Sequence, residues 1–137
     1  MPINELGNDT TQELIMMRHM YNLYMYDYMI TDRTMLDCYV YSQYLINQDR
    51  IRESTYEKVK IAFARSLETC AYDFTFYIKP EFDLVSDGVR SISKTYQKDI
   101  ERLFDSTIEM YGLNKDMFFI QVTGSVEDRV KQVLECL

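Results

Sequence analysis

The sequence has one histidine, His19, and only three cysteines, at positions 38, 70 and 136. Zinc sites need paired histidines or closely spaced cysteines, and di-iron bundle sites need Glu-x-x-His pairs. A Ser-His or Cys-His pair would have to use His19, which lies in a helical pattern without a nucleophile motif around it. We therefore expect a protein that is not an enzyme, with no catalytic residue, no metal and no cofactor.

Glycine and proline are also scarce, with four and two residues respectively. The glycines, at positions 7, 88, 112 and 124, are too widely spaced for a Walker loop or a dinucleotide-binding fingerprint. So few turn-forming residues also disfavour a β fold. The richest apolar stretch, 14–30, is interrupted by Arg18 and Asp27, so no membrane span is predicted.

Basic residues are outnumbered by acidic ones, which gives a net charge of −7. A general nucleic-acid binder needs a basic face, so nucleic acid is not an expected partner. The stretch 50–65 is locally basic, which fits either a contact with an acidic partner or the outer face of an amphipathic helix. The odd number of separated cysteines favours a reducing, cytoplasmic or other intracellular location.

Apolar residues recur every three or four positions along most of the chain, which is typical of amphipathic helices. We predict an all-α fold: a single-domain bundle of five to six helices over residues 10–137, after a flexible N-terminal segment at 1–9. The predicted helices cover 10 to about 30, 32–47, 54–79, 80–112 with a kink at Gly88, and a last helix capped by Ser125 and Asp128.

The stretch 117–124, "MFFIQVTG", is ambiguous between strand and helix. Its aromatic and β-branched residues suit a strand. The pattern elsewhere offers no partner strand, and a lone strand leaves its backbone groups without hydrogen bonds. A short buried helix is therefore the prediction for this stretch.

The first two predicted helices are unusually rich in tyrosine and methionine. Seven of the twelve tyrosines lie between positions 21 and 44. The three-four spacing predicts one apolar face for the first helix, formed by Leu14, Met17, Tyr21, Tyr24 and Tyr28, and a second apolar stripe beside it, formed by Met16, Met20 and Leu23. A helix that is apolar around most of its circumference is expected to be central or to lie between two surfaces. The surplus beyond such faces indicates either a wide core seam with scattered surface tyrosines or an interface with another protein. The expected interface residues are Met25, Tyr26, Met29, Tyr41 and Tyr44.

A row of carboxylates, Glu101, Asp105 and Glu109, follows one face of the fourth predicted helix. Such a row offers the oxygen ligands that a hard cation prefers. It is also typical of a solvated acidic edge opposite an apolar stripe. We favour the second interpretation because no EF-hand pattern accompanies the row.

The stretch 84–89, "LVSDGV", resembles the Asp-Gly-Val core of the first homology motif of Bcl-2-like apoptosis regulators. The resemblance implies an all-α bundle that holds a partner helix in an apolar groove, with Asp87 and Gly88 at the rim of that groove. That family continues with Trp-Gly-Arg and a strongly apolar helix. This chain has no tryptophan, and the helix that follows is amphipathic.

Three functional hypotheses follow. The leading one is a non-enzymatic regulatory or inhibitory protein that binds another protein, or a second copy of itself, through the first helical hairpin. The second is a divergent viral Bcl-2-like groove protein that sequesters a partner helix. The third is a helical sensor or carrier domain that holds an apolar ligand among tyrosine, methionine and phenylalanine side chains.

Overall fold

A computed structural model describes residues 3–81 and 93–137. This part of the chain is mostly helical, with a small sheet of two strands, so the all-α prediction fits broadly but the fold is not a clean bundle. The elements are α1 (Asp9–Met25), α2 (Met35–Asn47), α3 (Glu53–Glu68), β1 (Thr75–Ile78), α4 (Lys94–Met110), β2 (Phe119–Val122) and α5 (Val126–Cys136).

The core is centred on α2, which packs against α1, α3 and α4. Met35, Val40 and Leu45 of α2 are buried almost completely. They are joined by Val59 and Phe63 of α3, and by residues from the inner face of α4. α2 has apolar residues around most of its circumference, as expected for a helix surrounded by others.

A cluster of rings joins α2, α3 and the end of α4. The ring of Tyr39 stacks on that of Phe63 at a centroid distance of 4.8 Å, and Tyr111 meets Phe63 edge-on at 5.0 Å. The hydroxyl of Tyr39 lies 3.2 Å from that of Tyr56, which satisfies both in a largely apolar setting. These edge-to-face and stacked contacts have the geometries that aromatic pairs prefer, and they join the three helices.

The two strands correct the sequence prediction at two places. α3 ends at Glu68, not at Lys79, and β1 pairs in parallel with β2, with Thr75 opposite Phe119. The stretch 117–124 therefore contains a strand and not a short helix. The partner strand, β1, was not recognised from the sequence because Phe74 and Tyr77 also match a helical repeat.

The predicted helix from Pro80 to Gly112 is only partly correct. Pro80 and Glu81 are not helical, and α4 begins after Ser93, whose hydroxyl accepts a hydrogen bond from the amide of Tyr96. The predicted kink at Gly88 lies outside the described residues. Gly112 ends the helix with φ of +67°, the left-handed conformation expected of a terminal glycine.

Two helix starts show how local sequence sets the boundaries. The predicted cap of the last helix is confirmed, since Ser125 and Asp128 form a reciprocal capping box at the start of α5. α1 instead starts at Asp9, one residue before the predicted start at position 10, because Asn8 and Thr11 form the box. Gly7 then packs against Leu45 of α2, and the carbonyls of Leu6 and Gly7 accept hydrogen bonds from the Arg50 guanidinium.

Candidate interaction surface

α1 is attached to the rest of the molecule by polar residues and by Ile15, Met16 and Leu23, which pack against the core. Gln12 is buried, and its Oε1 accepts a hydrogen bond of 3.0 Å from the Ser42 hydroxyl on α2. Nearer the surface, Glu13 accepts a bond of 2.8 Å from Lys58 of α3. Asp9 likewise accepts bonds from the backbone amide and the guanidinium of Arg52, which hold the pKa of that carboxyl below its ordinary value.

The opposite side of α1 is apolar and faces outward. The three-four repeat of the sequence predicted an apolar face that packs inward. The structure turns this face away from the core, so that part of the prediction is wrong. Its exposed members are Leu14, Met17, Met20, Tyr21, Tyr24 and Met25. Arg18 is the only charged residue within it, and its guanidinium lies over the ring of Tyr21 at 5.9 Å. A surface of rings and thioethers with one charge is typical of a protein interface.

The exposed apolar surface continues past the end of α1. Tyr24 retains 88% of its exposure, Tyr28 retains 96% and Ile30 is fully exposed. Leaving large apolar side chains in water is costly, and contiguous patches of this kind mark binding sites on folded proteins. We call Leu14, Met17, Met20, Tyr21, Tyr24, Met25, Tyr26, Tyr28 and Ile30 the α1 surface.

The residues predicted for the interface separate into two groups. Met25, Tyr26 and Met29 are exposed at the end of α1 and in the segment after it. Tyr41 and Tyr44 are half-buried on α2 and pack against the core. Tyr41 lies under the Arg33 guanidinium at 5.2 Å, and Tyr44 meets the ring of Tyr96 edge-on at 5.0 Å. Asp87 and Gly88 lie outside the described residues.

Sequence reasoning missed the most exposed members of this surface, Tyr24, Tyr28 and Ile30. The helical spacing assigned Tyr24 and Tyr28 to the face expected to pack inward. A signal was nevertheless present, because Gln12, His19 and Asn22 share the other side of the helix. A helix that carries apolar residues on both sides can bury either one. Here the buried side combines the hydrogen-bonded Gln12 with Ile15, Met16 and Leu23.

A cavity of about 1070 Å³ lies beside the α1 surface. It is bounded by the segment 26–34, by β1 with the residues before it, and by one side of α4. Tyr26, Met29 and Tyr41, three of the predicted residues, line it together, whereas Met25 and Tyr44 do not. Tyr96, a buried residue, also lines the cavity, and its hydroxyl has no hydrogen-bond partner among the residues that the structure describes.

The other candidate sites from the sequence are occupied by internal ion pairs. Lys79 lies 2.8 Å from Asp105 and 3.9 Å from Glu101, so two of the three carboxylates in the acidic row share a cation already. Within residues 3–81 and 93–137 no cluster of three metal-binding side chains is found. In the basic stretch, Arg52 and Lys58 pair with Asp9 and Glu13 as described above.

None of the helices in the described ranges is both long and apolar enough to cross a membrane. The single histidine, His19, is half-buried on α1, and burial lowers its pKa from the ordinary value of 6.5.

Comparison of the chain with protein-family models, with curated proteins and with solved structures found no match.

Proposed function

We propose that this chain is a non-enzymatic binding protein that regulates or inhibits another protein by covering part of its surface with the α1 surface. The observation that carries the proposal is the orientation of α1, which turns one side, with Gln12, Ile15 and Leu23, toward the core and leaves most of its rings and thioethers in solvent. A lone protomer gains nothing from that arrangement, because the apolar side chains remain in water.

The energetics favour an interface centred on Tyr24, Tyr28 and Ile30. Complete burial of each such side chain contributes about 1.5–3 kcal/mol. Tyrosine is a common anchor at interfaces because its ring buries a large area while its hydroxyl finds a polar partner. The nine side chains of the α1 surface together present an area on the order of the 800 Å² per partner of a standard interface.

The charge pattern also fits a role in binding. The chain carries −7 overall, yet the stretch 14–30 has only one basic and one acidic residue besides His19. Depletion of charge at the centre of a patch is the compositional mark of interfaces. The partner is expected to present an apolar groove or face that accepts aromatic side chains.

A triple substitution, Tyr24→Ser with Tyr28→Ser and Ile30→Ser, tests the proposal. All three side chains are exposed, so we expect an unchanged circular dichroism spectrum and a loss of binding of about a hundredfold or more. Affinity purification with quantitative mass spectrometry compares wild type and variant. Titration calorimetry with the purified captured protein then gives the dissociation constants.

A matched control is Met110→Ser with Met117→Ser, because both methionines are exposed and lie outside the α1 surface. This variant should bind as the wild type does. Equal binding by the wild type and the triple variant would contradict the proposal. Tyr41→Ser and Tyr44→Ser are unsuitable here, since both rings also support the core.

A second function, the binding of an apolar ligand, is favoured by the cavity beside β1. It is large enough for a ligand of drug or lipid size. Its described walls include rings of β1, α4 and the segment 26–34, and within 3–81 and 93–137 the Tyr96 hydroxyl has no hydrogen-bond partner. Native mass spectrometry of freshly purified protein should then show a bound small molecule, and a Tyr96→Phe variant should retain it less well. A bare polypeptide mass in every preparation would contradict this function.

A further inference from the structure

The cavity beside β1 is lined by an unusual number of tyrosine rings. Six of the twelve tyrosines of the chain contribute to its described walls, namely Tyr26, Tyr28, Tyr41, Tyr72, Tyr77 and Tyr96. The face of an aromatic ring carries partial negative charge and attracts cations that approach it. Several such rings around one cavity therefore favour a positively charged ligand.

The charged side chains of the same cavity are mostly acidic. Its described walls contain five carboxylates and one guanidinium, which is a formal excess of four negative charges. The carboxylates are those of Asp27, Asp32, Asp37, Asp73 and Glu101, and the guanidinium is that of Arg33. The charge of the walls thus favours the same sign of ligand as the rings do.

Two of the five carboxylates have partners within the protein. Glu101 lies 3.9 Å from Lys79, and Asp37 accepts a hydrogen bond of 2.8 Å from the amide of Thr34. Asp27, Asp32 and Asp73 are exposed, and in the described ranges none of the three takes part in a hydrogen bond or an ion pair. These three carboxylates are therefore available to a ligand that enters from solvent.

Arg33 shows how this cavity accommodates a cation. Its guanidinium lies over the ring of Tyr41 at 5.2 Å from the centroid. That distance is within the range of a cation–π interaction. One ring of the cavity is thus in contact with a cation of the chain itself, and the other rings have the same chemistry.

Tyr96 is an independent indication that the cavity takes a ligand. The residue is only 8% exposed, it lines the cavity, and its hydroxyl has no hydrogen-bond partner among the described residues. A buried hydroxyl without a partner loses its hydration and gains nothing in return. An N–H donor on a bound molecule would supply the missing hydrogen bond.

The rest of the cavity requires a ligand with an apolar body. Its other described walls include Leu36, Ile100, Phe104 and Phe119, which offer no polar side-chain atom. The volume of about 1070 Å³ is that of a site for a drug-sized or lipid-sized molecule. A bare inorganic cation would leave these walls without a contact.

We propose that this cavity binds a small organic ammonium ion, a molecule with an apolar body and a cationic nitrogen. The inference rests on the ligand-binding function proposed above and adds the charge of the ligand. The aliphatic and aromatic walls cover the body, and the ring faces and the three available carboxylates stabilise the cation. The hydroxyl of Tyr96 accepts a hydrogen bond from the ligand.

Isothermal titration calorimetry at pH 7.5 with three probes tests the proposal. Decylamine, decanol and decanoate share one alkyl chain but are cationic, neutral and anionic, and each is used below its micelle concentration. We expect decylamine to bind about tenfold more tightly than decanol, and decanoate to bind least. Added sodium chloride should weaken the binding of decylamine and leave that of decanol unchanged.

A triple variant identifies the carboxylates that act. Asp27→Asn with Asp32→Asn and Asp73→Asn should weaken the binding of decylamine about tenfold and leave that of decanol unchanged. The matched control is Glu53→Gln with Glu68→Gln and Glu109→Gln, which removes the same charge at exposed positions outside the cavity. This control should bind decylamine within about twofold of the wild type, and circular dichroism verifies that both variants are folded.

The outcomes separate the charge of the ligand from the existence of the site. Equal binding of decylamine and decanol by the wild type would overturn the cationic ligand and leave the ligand-binding function standing. The same holds if the asparagine variant binds decylamine as the wild type does, or if the glutamine control loses as much affinity as that variant. Absence of binding by all three probes would contradict the ligand-binding function itself, and this inference with it.

Discussion

The hydroxyl of Ser42 on α2 donates a hydrogen bond of 3.0 Å to Oε1 of Gln12 on α1, and both side chains are buried. The same hydroxyl lies 2.8 Å from the carbonyl of Cys38, one turn earlier on α2. A buried amide needs such a partner, because leaving it without one costs its full desolvation energy. This contact acts together with the packing of Ile15, Met16 and Leu23 against the core to hold one side of α1 inward, which leaves the other side in solvent.

We predict that Ser42→Ala lowers the free energy of unfolding by about 1–3 kcal/mol, because the buried Gln12 amide loses its partner. Urea unfolding followed by circular dichroism measures the change. Ser106→Ala is the control, since its hydroxyl also bonds a backbone carbonyl but is exposed, and it should cost less than about 0.5 kcal/mol. Equal effects of the two substitutions would show that the Gln12 contact does not hold α1.

Phe63 is 1% exposed and lies between Tyr39 and Tyr111 in the ring cluster. We expect Phe63→Ala to destabilise the fold by about 3–5 kcal/mol, through lost burial and the cavity that remains. Ile61→Ala, on the exposed side of the same helix, should change stability by less than about 0.5 kcal/mol. Chemical unfolding of both variants distinguishes a packed core at α3 from a loosely packed one.

The only histidine gives a pH dependence that can be assigned. Burial is the main cause that lowers the pKa of His19, with Arg33 acting in the same direction and the Asp37 carboxylate against it. The unfolded chain binds a proton at about pH 6.5, whereas the folded chain binds it only at lower pH. His19 therefore makes stability fall as the pH decreases below 6.5.

Unfolding midpoints in urea at pH 7.5, 6.5 and 5.5 measure this effect. The wild type should lose more stability over this range than His19→Gln. Burial raises the pKa of Asp37, which gives the dependence of stability on pH a slope of opposite sign in both proteins. The contribution of His19 is therefore the difference between the two stability profiles. Parallel profiles would mean that His19 is as accessible in the folded chain as in the unfolded one.

The three cysteines should differ in reactivity. Burial, with a smaller contribution from the Asp37 carboxylate, raises the pKa of the Cys38 thiol to about 12, whereas Cys70 is exposed. Because the thiolate is the reactive form, iodoacetamide at pH 8 should modify Cys70 first and Cys38 only after unfolding. Peptide mass spectrometry over time gives the order, and Cys70→Ser should remove the fast phase. Early modification of Cys38 would contradict its buried position.

Strand pairing is where sequence reasoning failed for a definable reason. β2 was recognisable from its aromatic and β-branched residues, but a strand needs a partner to satisfy its backbone. That partner, Thr75–Ile78, lies more than 40 positions away and follows a helix with a similar spacing of rings. Pairing over such a distance depends on how α4 returns the chain, which no local pattern contains.

The helical character of most of the chain, the capping box at Ser125 and the left-handed turn at Gly112 were determined by local sequence, because they depend on contacts within a few residues. The tyrosine and methionine surplus was also visible without coordinates. The tertiary structure decided where that surplus lies. Tyr41 and Tyr44 pack against the core, whereas Tyr24 and Tyr28 face solvent. The reason is that the orientation of α1 depends on contacts with α2 and α3, among them the hydrogen bond between Gln12 and Ser42, which are 30 positions apart in the chain.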